Sequence, residues 1–300
     1  EAHDPNNLSP FKGNVDLNKL SQLITKHGAG KIAYVSLETN VNMAGGQPVS
    51  LANIREVSAL LRQHGIRLML DATRAIENAY FIKTRETGYA DKSIAEILRE
   101  ICSYTDGCTV SAKKDAIVNI GGFLALNDDA MADAARQLLV AFEGLHTYGG
   151  MAGRDMAAIA VGLREAVEFD YIRARVEQVA YLGSRLVSFG VPVVRPFGGH
   201  GIYLNAKEIV PHIPQEEFPA QRLAAEIYLE GGIRAMERGI VSAGRAADGS
   251  NYLPELELVR LTIPRRVYTQ SHLDVVAESV ARVCLRASSL RGLKMVFEPK

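Results

Sequence analysis

Two lysines in the turn SAKKD have the residue type and spacing best suited to chemistry in this chain. The turn lies within CTVSAKKDAIVNIGGFLAL, residues 108–126, where one apolar run ends and a glycine pair precedes the next. A lysine at the end of a buried strand can hold an aldehyde cofactor as a Schiff base. Ser111, three residues before Lys114, can then bind the cofactor's phosphate. The alternative is a surface turn in which Lys113 and Lys114 are merely solvated.

Polar side chains also follow two earlier apolar runs. Asn42 comes after the run at residues 32–37, and Asp71 ends the run at residues 66–71, with Arg74 three residues later. The carboxyl ends of parallel strands share one edge of a sheet, which is the usual ligand crevice of an open α/β fold. A carboxylate beside a pyridine nitrogen keeps that nitrogen protonated, so this set of groups suits pyridoxal phosphate. Taken singly, Asp71 is explained as well by a helix cap, and Asn42 by a turn.

The elements that must position these residues alternate between strand and helix. Four apolar runs predict strands: IAYVSL, IRLMLD, CTVS and GGFLALN. Ser50 predicts the N-cap of a helix that stops at Gly65. This alternation indicates an α/β fold with a mostly parallel sheet. The glycines of AGGQP and VNIGG match neither GxGxxG nor GxxxxGK[ST], so a Rossmann or P-loop interpretation lacks its motif.

The second half of the chain predicts a different organisation. A periodic stretch at residues 154–190 predicts one or two linked helices that connect two domains. Beyond it, the short strands VPVVRP, GIYLN and VRLTIP alternate with the helices PAQRLAAEIYLEGG and HLDVVAESVARVCLRASSL. This pattern indicates a smaller α+β domain.

Composition and charge argue against several classes of protein. The chain has 300 residues, of which 34 are basic and 34 acidic, and no basic block indicates a nucleic-acid or acidic-membrane partner. No apolar run reaches the roughly 18 residues that a membrane-spanning helix needs. Cys102, Cys108 and Cys284 form neither a metal-ligand nor a disulfide pattern. Reduced thiols in a cytoplasmic protein are the expected interpretation.

Seven segments resemble one known family over essentially the whole chain. They are VNMAGGQPVS, DATRAIENAYFIK, SAKKDAIVNIGGFL, TYGGMAGRDM, FPAQRLAAEIY, MERGIVSAGR and VRLTIPRRVYT. They occur in the same order in the β-eliminating lyases, a pyridoxal-phosphate family. The resemblance implies fold type I, with a large cofactor-binding domain at residues 1–165 and a small C-terminal domain at residues 166–300.

The resemblance assigns cofactor contacts residue by residue. It implies that Lys114 forms the Schiff base with pyridoxal phosphate and that Ser111 binds the phosphate. Asp71 matches the aspartate that pairs with the pyridine nitrogen, and Arg74 matches the arginine near the phenolic oxygen of the cofactor. Asn42 matches a further cofactor contact.

The resemblance also implies substrate and ion contacts. Arg260 matches the arginine that grips the α-carboxylate of the substrate, which agrees with bidentate recognition of a carboxylate by a guanidinium. His200 in GGHG matches a position near the active site, although a hydrogen-bonded small-domain histidine explains it as well. Lys113 matches a supporting neighbour of Lys114. Asn119 matches a residue whose carbonyl contributes to a monovalent-cation (K⁺) site.

Arg238 of the MERG motif indicates which aromatic substrate is taken. Members that release phenol carry an arginine here, whereas members that release indole carry an apolar residue. A cationic donor suits a phenolic oxygen, so we expect L-tyrosine and water to give phenol, pyruvate and ammonia. Leu145 and His146 replace residues usual near the ring pocket. The alternatives are tryptophan indole-lyase activity, a transaminase of the same fold, or an inactive fragment that retains the fold.

The resemblance finally implies an assembly and a missing portion. Members of the family form homotetramers built as dimers of dimers, and they carry an N-terminal segment and a C-terminal tail that this sequence lacks. That segment includes most of the phosphate cup. We therefore expect a large domain truncated at its N-terminus, with weak cofactor binding and poor turnover.

Overall fold

The computed structural model describes residues 1–298, which form two compact units. The lysine unit comprises residues 13–40 and 48–174. The arginine unit comprises residues 1–12, residues 41–47 and the described chain from Arg175 onward. These ranges describe compact packing. The division into folding domains at residues 1–165 and 166–300 stays a prediction.

The lysine unit contains a four-stranded sheet in the order β1–β2–β3–β4. The strands are β1 Tyr34–Glu38, β2 Arg67–Asp71, β3 Gly107–Ser111 and β4 Gly122–Leu126. β1, β2 and β3 are parallel, and β4 is antiparallel to β3. The four predicted strands are therefore confirmed, and so is the mostly parallel sheet of an α/β fold.

Six helices belong wholly to the lysine unit. They are α1 Leu17–His27, α2 Leu51–Gln63, α3 Ala75–Arg85, α4 Ile94–Ser103, α5 Asp129–Phe142 and α6 Gly153–Ala166. Ser50 caps α2 as predicted, because its side chain accepts a hydrogen bond from the N–H of Asn53. Gly65 then adopts a positive φ just beyond the helix. Apolar side chains of α2, β2 and α4, such as Ile54, Leu70 and Ile97, are buried.

The arginine unit contains a three-stranded antiparallel sheet in the order β5–β7–β6. The strands are β5 Gly201–Asn205, β6 Met236–Arg238 and β7 Leu258–Thr262. The remaining helices are α7 Phe169–Ser188, α8 Ala206–Ile209, α9 Pro219–Gly231, α10 Ile240–Ala243 and α11 Gln270–Leu285. One apolar core joins residues of α7, α9, α11, β5 and β7.

Of two predictions for the second half of the chain, the structure confirms one and contradicts the other. The periodic stretch at residues 154–190 forms two helices, α6 and α7, as predicted. The strand expected at VPVVRP was wrong. Val193 makes only an isolated antiparallel bridge with Leu204, because prolines on both sides lack the N–H that a ladder needs.

No helix in residues 1–298 combines the length and the apolar character that crossing a membrane requires.

Candidate active site

The ends of β2 and β3 bring Asp71 and Ser111 to one edge of the sheet. Asp71 ends β2 and pairs in register with Thr109, two residues before Ser111 at the end of β3. Thr73 connects them: its N–H donates to Asp71 Oδ1 at 3.1 Å, and its Oγ1 accepts from the N–H of Ser111 at 3.2 Å. The predicted shared edge of these strands therefore exists, and Thr73 holds its two turns together.

Lys114 lies in the turn that leaves this edge. Its Nζ donates to Ser111 Oγ at 2.7 Å, so the predicted amine and hydroxyl are in direct contact. Lys113 is exposed, whereas Lys114 is only partly so. The two lysines therefore differ in environment, and Lys114 is the one directed toward the strand edge.

The backbone after Lys114 is held in an unfavourable conformation. Ile117 has φ +59°, a left-handed conformation that costs a β-branched residue on the order of 1–3 kcal/mol. Gly162 of α6 packs against Ala116 so closely that an added Cβ would lie 1.8 Å from the Ala116 carbonyl oxygen. The lysine turn is therefore fixed by packing from the helix beside it.

Arg74 is a buried cation close in sequence to Asp71. It is 7% exposed and occupies the N-cap position of α3, where its side chain makes no capping hydrogen bond. Its Nε has no hydrogen-bond partner among the described residues. A guanidinium is always charged and costly to bury alone, so this position suits an anionic or electron-rich ligand.

These groups fit the cofactor that the sequence suggests. Pyridoxal phosphate requires an amine for its aldehyde and a carboxylate for its ring nitrogen. Lys114, Ser111 and Asp71 supply an amine, a hydroxyl and a carboxylate at one sheet edge. The buried Nε of Arg74 supplies a further unused donor.

In the arginine unit, three polar side chains converge on the side-chain oxygen of Asn42. Arg260 Nη1 donates to Asn42 Oδ1 at 2.7 Å, and the hydroxyl of Tyr203 donates to it at 3.0 Å. His200 Nε2 lies 3.1 Å from the same oxygen and 2.7 Å from the Tyr203 hydroxyl. Sequence reasoning placed Asn42 with Asp71 at the strand edge, whereas the structure brings it into one network with His200 and Arg260 in the arginine unit.

The sheet register places Arg260 on the central strand of its sheet. Arg260 of β7 pairs with Tyr203 of β5 on one side and with Met236 of β6 on the other. His200 is 1% exposed, so its ring orients its neighbours from within the unit. Arg265 and Arg266 lie beyond the end of β7, and the register distinguishes them from Arg260.

Arg238 ends β6 and precedes α10 by one residue. Its Nε, like that of Arg74, is buried without a hydrogen-bond partner in the described chain. The carboxylate of Glu237 accepts the N–H groups of Gly239, Val241 and Ser242 at 2.7–3.1 Å. The turn that carries Arg238 is therefore held by backbone hydrogen bonds to its own neighbour.

Glu257 holds the same turn from a second side. It is fully buried, and its Oε1 accepts from the N–H of Ile240 at 2.8 Å and from Gln215 Nε2 at 2.9 Å. Its Oε2 has no partner within the part of the chain that the structure describes. Burial raises the pKa of the Glu257 carboxyl above its ordinary 4.5, and the charge of Glu237 contributes in the same direction.

Asn119, Leu145 and His146 lie on exposed loops. Asn119 is exposed between the lysine turn and β4, and its role in a cation site stays a prediction. Leu145 and His146 are exposed in the loop after α5. His146 lines an open groove with Phe123 and Tyr148.

Sequence reasoning missed four residues that hold these groups in place: Thr73, Asp115, Tyr203 and Glu257. Thr73 and Asp115 stand inside motifs that already attracted notice, DATR and SAKKD. A tyrosine at the centre of the apolar strand GIYLN was a signal for Tyr203, because a buried hydroxyl needs a partner. Glu257 gave no local signal.

Comparison with solved structures defines the fold class. The chain resembles a threonine aldolase of Leishmania major, with 15% identity, a TM-score of 0.58, and coverage of 90% of this chain and 68% of the other. It also resembles a serine palmitoyltransferase of S. paucimobilis, with 13% identity, a TM-score of 0.60, and coverage of 92% and 60%. The fold is fold type I of the pyridoxal-phosphate enzymes.

Sequence comparison then defines the family. Residues 2–279 match the family described as Beta-eliminating lyase, and the chain belongs to this family. It is 64% identical to a tyrosine phenol-lyase of Nostoc punctiforme, and 59% identical to those of Pasteurella multocida and Symbiobacterium thermophilum. Each match covers 100% of this chain. The chain spans 64% of the length of the first relative and 66% of the other two.

Proposed function

We propose that this chain acts in the pyridoxal-phosphate-dependent cleavage of an aromatic L-amino acid, converting L-tyrosine and water to phenol, pyruvate and ammonia. The observation that carries the proposal is the contact between Lys114 Nζ and Ser111 Oγ, beside Asp71 at one sheet edge. Identity of 55–64% to tyrosine phenol-lyases over the whole chain supports the choice of reaction.

In this proposal the cofactor contacts come from a few named residues. Lys114 holds the aldehyde, Ser111 binds the phosphate, and Asp71 faces the ring nitrogen. Arg74 and Asn42 complete the contacts. When bound, pyridoxal phosphate supplies an aldehyde that takes up the substrate amine and a cationic ring that accepts electrons from the α-carbon.

Asp71 and Lys114 would hold and move the protons. The negative charge of Asp71 favours the protonated form of a ring nitrogen beside it. Lys114 would be the base that removes the α-hydrogen of the substrate. Before the cofactor binds, the hydrogen bond to Ser111 keeps the Lys114 Nζ at the strand edge.

Arg260 and Arg238 would bind the two ends of the substrate. Arg260 presents a planar guanidinium to the α-carboxylate, and its bond to Asn42 Oδ1 fixes the direction of that fork. Arg238 would present a cationic hydrogen-bond donor to the phenolic oxygen of the substrate. His200 orients Asn42 and Tyr203 within the same network.

The test is a direct assay of products. The chain is incubated with pyridoxal phosphate and L-tyrosine or L-tryptophan, with phenol and indole measured by chromatography and pyruvate by a lactate dehydrogenase coupling. We expect phenol and pyruvate in equal amounts from tyrosine, and no indole from tryptophan. Indole without phenol would instead assign the tryptophan-cleaving activity.

Two variants make the assay specific. Lys114→Ala removes the amine and should abolish both product formation and the absorbance of the bound cofactor. Lys31→Ala, an exposed lysine of the same unit, is the matched control and should leave both unchanged. A folded Lys114→Ala variant that still forms phenol would refute the proposal.

Three further properties belong to the same proposal: activation by K⁺ through a site that includes Asn119, a cytoplasmic location, and assembly as a homotetramer. Light scattering after gel filtration tests the assembly. Replacing K⁺ by Na⁺ in the product assay tests the ion, with lower activity in Na⁺ as the expected result.

A further inference from the structure

Asp115 follows Lys114 directly, yet its side chain belongs to a different part of the lysine unit. It is 4% exposed, and its Oδ2 accepts the N–H groups of Ile76 at 2.9 Å and Glu77 at 3.4 Å. These two N–H groups lie in the first turn of α3. The lysine turn is therefore attached to the helix that follows Arg74.

The first turn of α3 needs an acceptor from elsewhere. The first N–H groups of a helix have no partner inside the helix, and a side chain at the N-cap position usually supplies one. Arg74 holds that position, and its side chain cannot accept a hydrogen bond. Asp115 fills the role from 39 and 38 residues away in sequence, and its negative charge suits the positive end of the helix.

A second attachment lies on the other side of Lys114. Thr73 Oγ1 accepts the N–H of Ser111, three residues before the lysine, whereas Asp115 is the residue immediately after it. The turn that carries Lys114 is thus bonded, before and after the lysine, to the segment that runs from Asp71 into the first turn of α3. Displacing either bond would change where Nζ lies relative to Ser111.

We infer that Asp115 is a positioning residue: by capping α3 it fixes the backbone of Lys114 so that this amine, rather than that of Lys113, meets the cofactor aldehyde. The inference rests on the proposed function, because it concerns the lysine that the cofactor joins. Asp115 itself touches neither cofactor nor substrate in this role.

The test measures which lysine is modified. The chain is mixed with a small molar excess of pyridoxal phosphate and reduced with borohydride, which converts the C=N bond to a stable amine. Peptide mass spectrometry then gives the ratio of label on Lys114 to label on Lys113. A residue that only stabilises the fold would change the unfolding midpoint without changing this ratio in the folded protein.

Four proteins are compared: wild type, Asp115→Ala, Asp115→Asn and the exposed control Asp91→Ala. Asp115→Asn keeps an oxygen that can accept both N–H groups, so it should keep the wild-type ratio. Asp115→Ala should lower the ratio about tenfold, since a small misplacement of a reacting group has an effect of that size or larger. Asp91→Ala should match wild type.

The outcomes separate the two proposals. If wild type shows no preference for Lys114, the proposed function fails at its first step. If wild type prefers Lys114 and a folded Asp115→Ala retains the preference, only the inference about Asp115 is overturned. Where Asp115→Ala does not fold, Asp115→Glu replaces it: the longer side chain should lose the preference that Asp115→Asn keeps, and the reverse order would overturn the inference.

Discussion

Arg74 and Arg238 occupy similar local positions in two different units. Arg74 directly precedes α3, and Arg238 is separated from α10 by Gly239 alone. The Nε of each is buried without a hydrogen-bond partner in residues 1–298. In both places, carboxyl oxygens accept hydrogen bonds from the N–H groups of the following helical turn. These hydrogen bonds fix the backbone that carries the arginine.

The origin of the carboxylates differs between the two turns. The turn after Arg74 is capped by Asp115, which belongs to the lysine turn. The turn after Arg238 is capped by Glu237 and Glu257, neither of which carries a proposed chemical role. The first arrangement couples two proposed cofactor contacts to each other, whereas the second supports one proposed substrate contact with two carboxyl groups that have no other proposed role.

The largest expected effect compares the steric support of the lysine turn, which caps the turn after Arg74, with that of the Arg238 turn. Gly162→Ala should lower the free energy of unfolding by about 3 kcal/mol, because the new Cβ meets a backbone carbonyl that cannot rotate away. Gly239→Ala should cost about 1–2 kcal/mol, since its Cβ would meet the Glu257 carboxylate, which can rotate away at the cost of its hydrogen bonds, whereas a backbone carbonyl cannot. Urea unfolding measures both.

Gly153→Ala is the matched control for this pair. It lies on α6 with Gly162 and would meet no atom within 4 Å, so it should be neutral or stabilise by up to about 1 kcal/mol. A larger loss from Gly239→Ala than from Gly162→Ala would show that the Arg238 turn is the more rigidly packed of the two.

The next effect tests the cap that joins the lysine turn to α3. Asp115→Ala leaves two buried N–H groups without an acceptor and should lower the free energy of unfolding by about 2 kcal/mol. Hydrogen exchange at the Ile76 amide should accelerate, while that at the Ile54 amide in α2 tracks global stability. Asp91→Ala should stay within about 0.5 kcal/mol of wild type.

A smaller effect tests whether Arg74, but not Arg238, contributes to cofactor affinity. Arg74→Leu should raise the dissociation constant for pyridoxal phosphate about tenfold, or about 1.4 kcal/mol. It should not lower the free energy of unfolding, because an apolar group replaces a buried cation. Arg238→Leu should leave the cofactor constant unchanged. An absorbance titration measures both, and equal effects from the two variants would remove the distinction between the turns.

The smallest effect depends on pH and belongs to the Arg238 turn alone. Because the folded-state pKa of Glu257 is raised above 4.5, the folded protein binds more protons than the unfolded chain between these two values. Stability should therefore fall as the pH rises from 4.5 through the raised pKa. Glu257→Gln should flatten this dependence in urea unfolding at pH 4.5–8, and an unchanged slope would contradict the assignment.

The sequence allowed the strand edge of the lysine unit to be predicted because its signals are local. Apolar runs ending at Asp71 and Ser111 mark β2 and β3, and parallel pairing brings such ends together. Ser50 was recognisable as an N-cap because its hydroxyl accepts a hydrogen bond from the N–H of Asn53, only three residues later. The family motifs then distinguished Arg260 from Arg265 and Arg266.

The supporting contacts were beyond local reasoning. Asp115 bonds to Ile76 across 39 residues, and Glu257 bonds to Ile240 across 17. No period or motif in a single sequence indicates which distant N–H a carboxylate will accept. The burial of Arg74 was hidden for the same reason, since an arginine after a strand is more often solvated. The sequence therefore predicted most of the secondary structure but not the distant hydrogen-bond partners of these side chains.

The network around Asn42 also has a consequence for the order of folding during synthesis. Asn42 bonds to His200 and Arg260, which follow it by 158 and 218 residues, whereas every segment of the lysine unit has been synthesised by residue 174. Translation proceeds at roughly 5–20 residues per second, and N-terminal parts generally fold first. The partners of Asn42 therefore leave the ribosome many seconds after Asn42 itself, and later than every segment of the lysine unit.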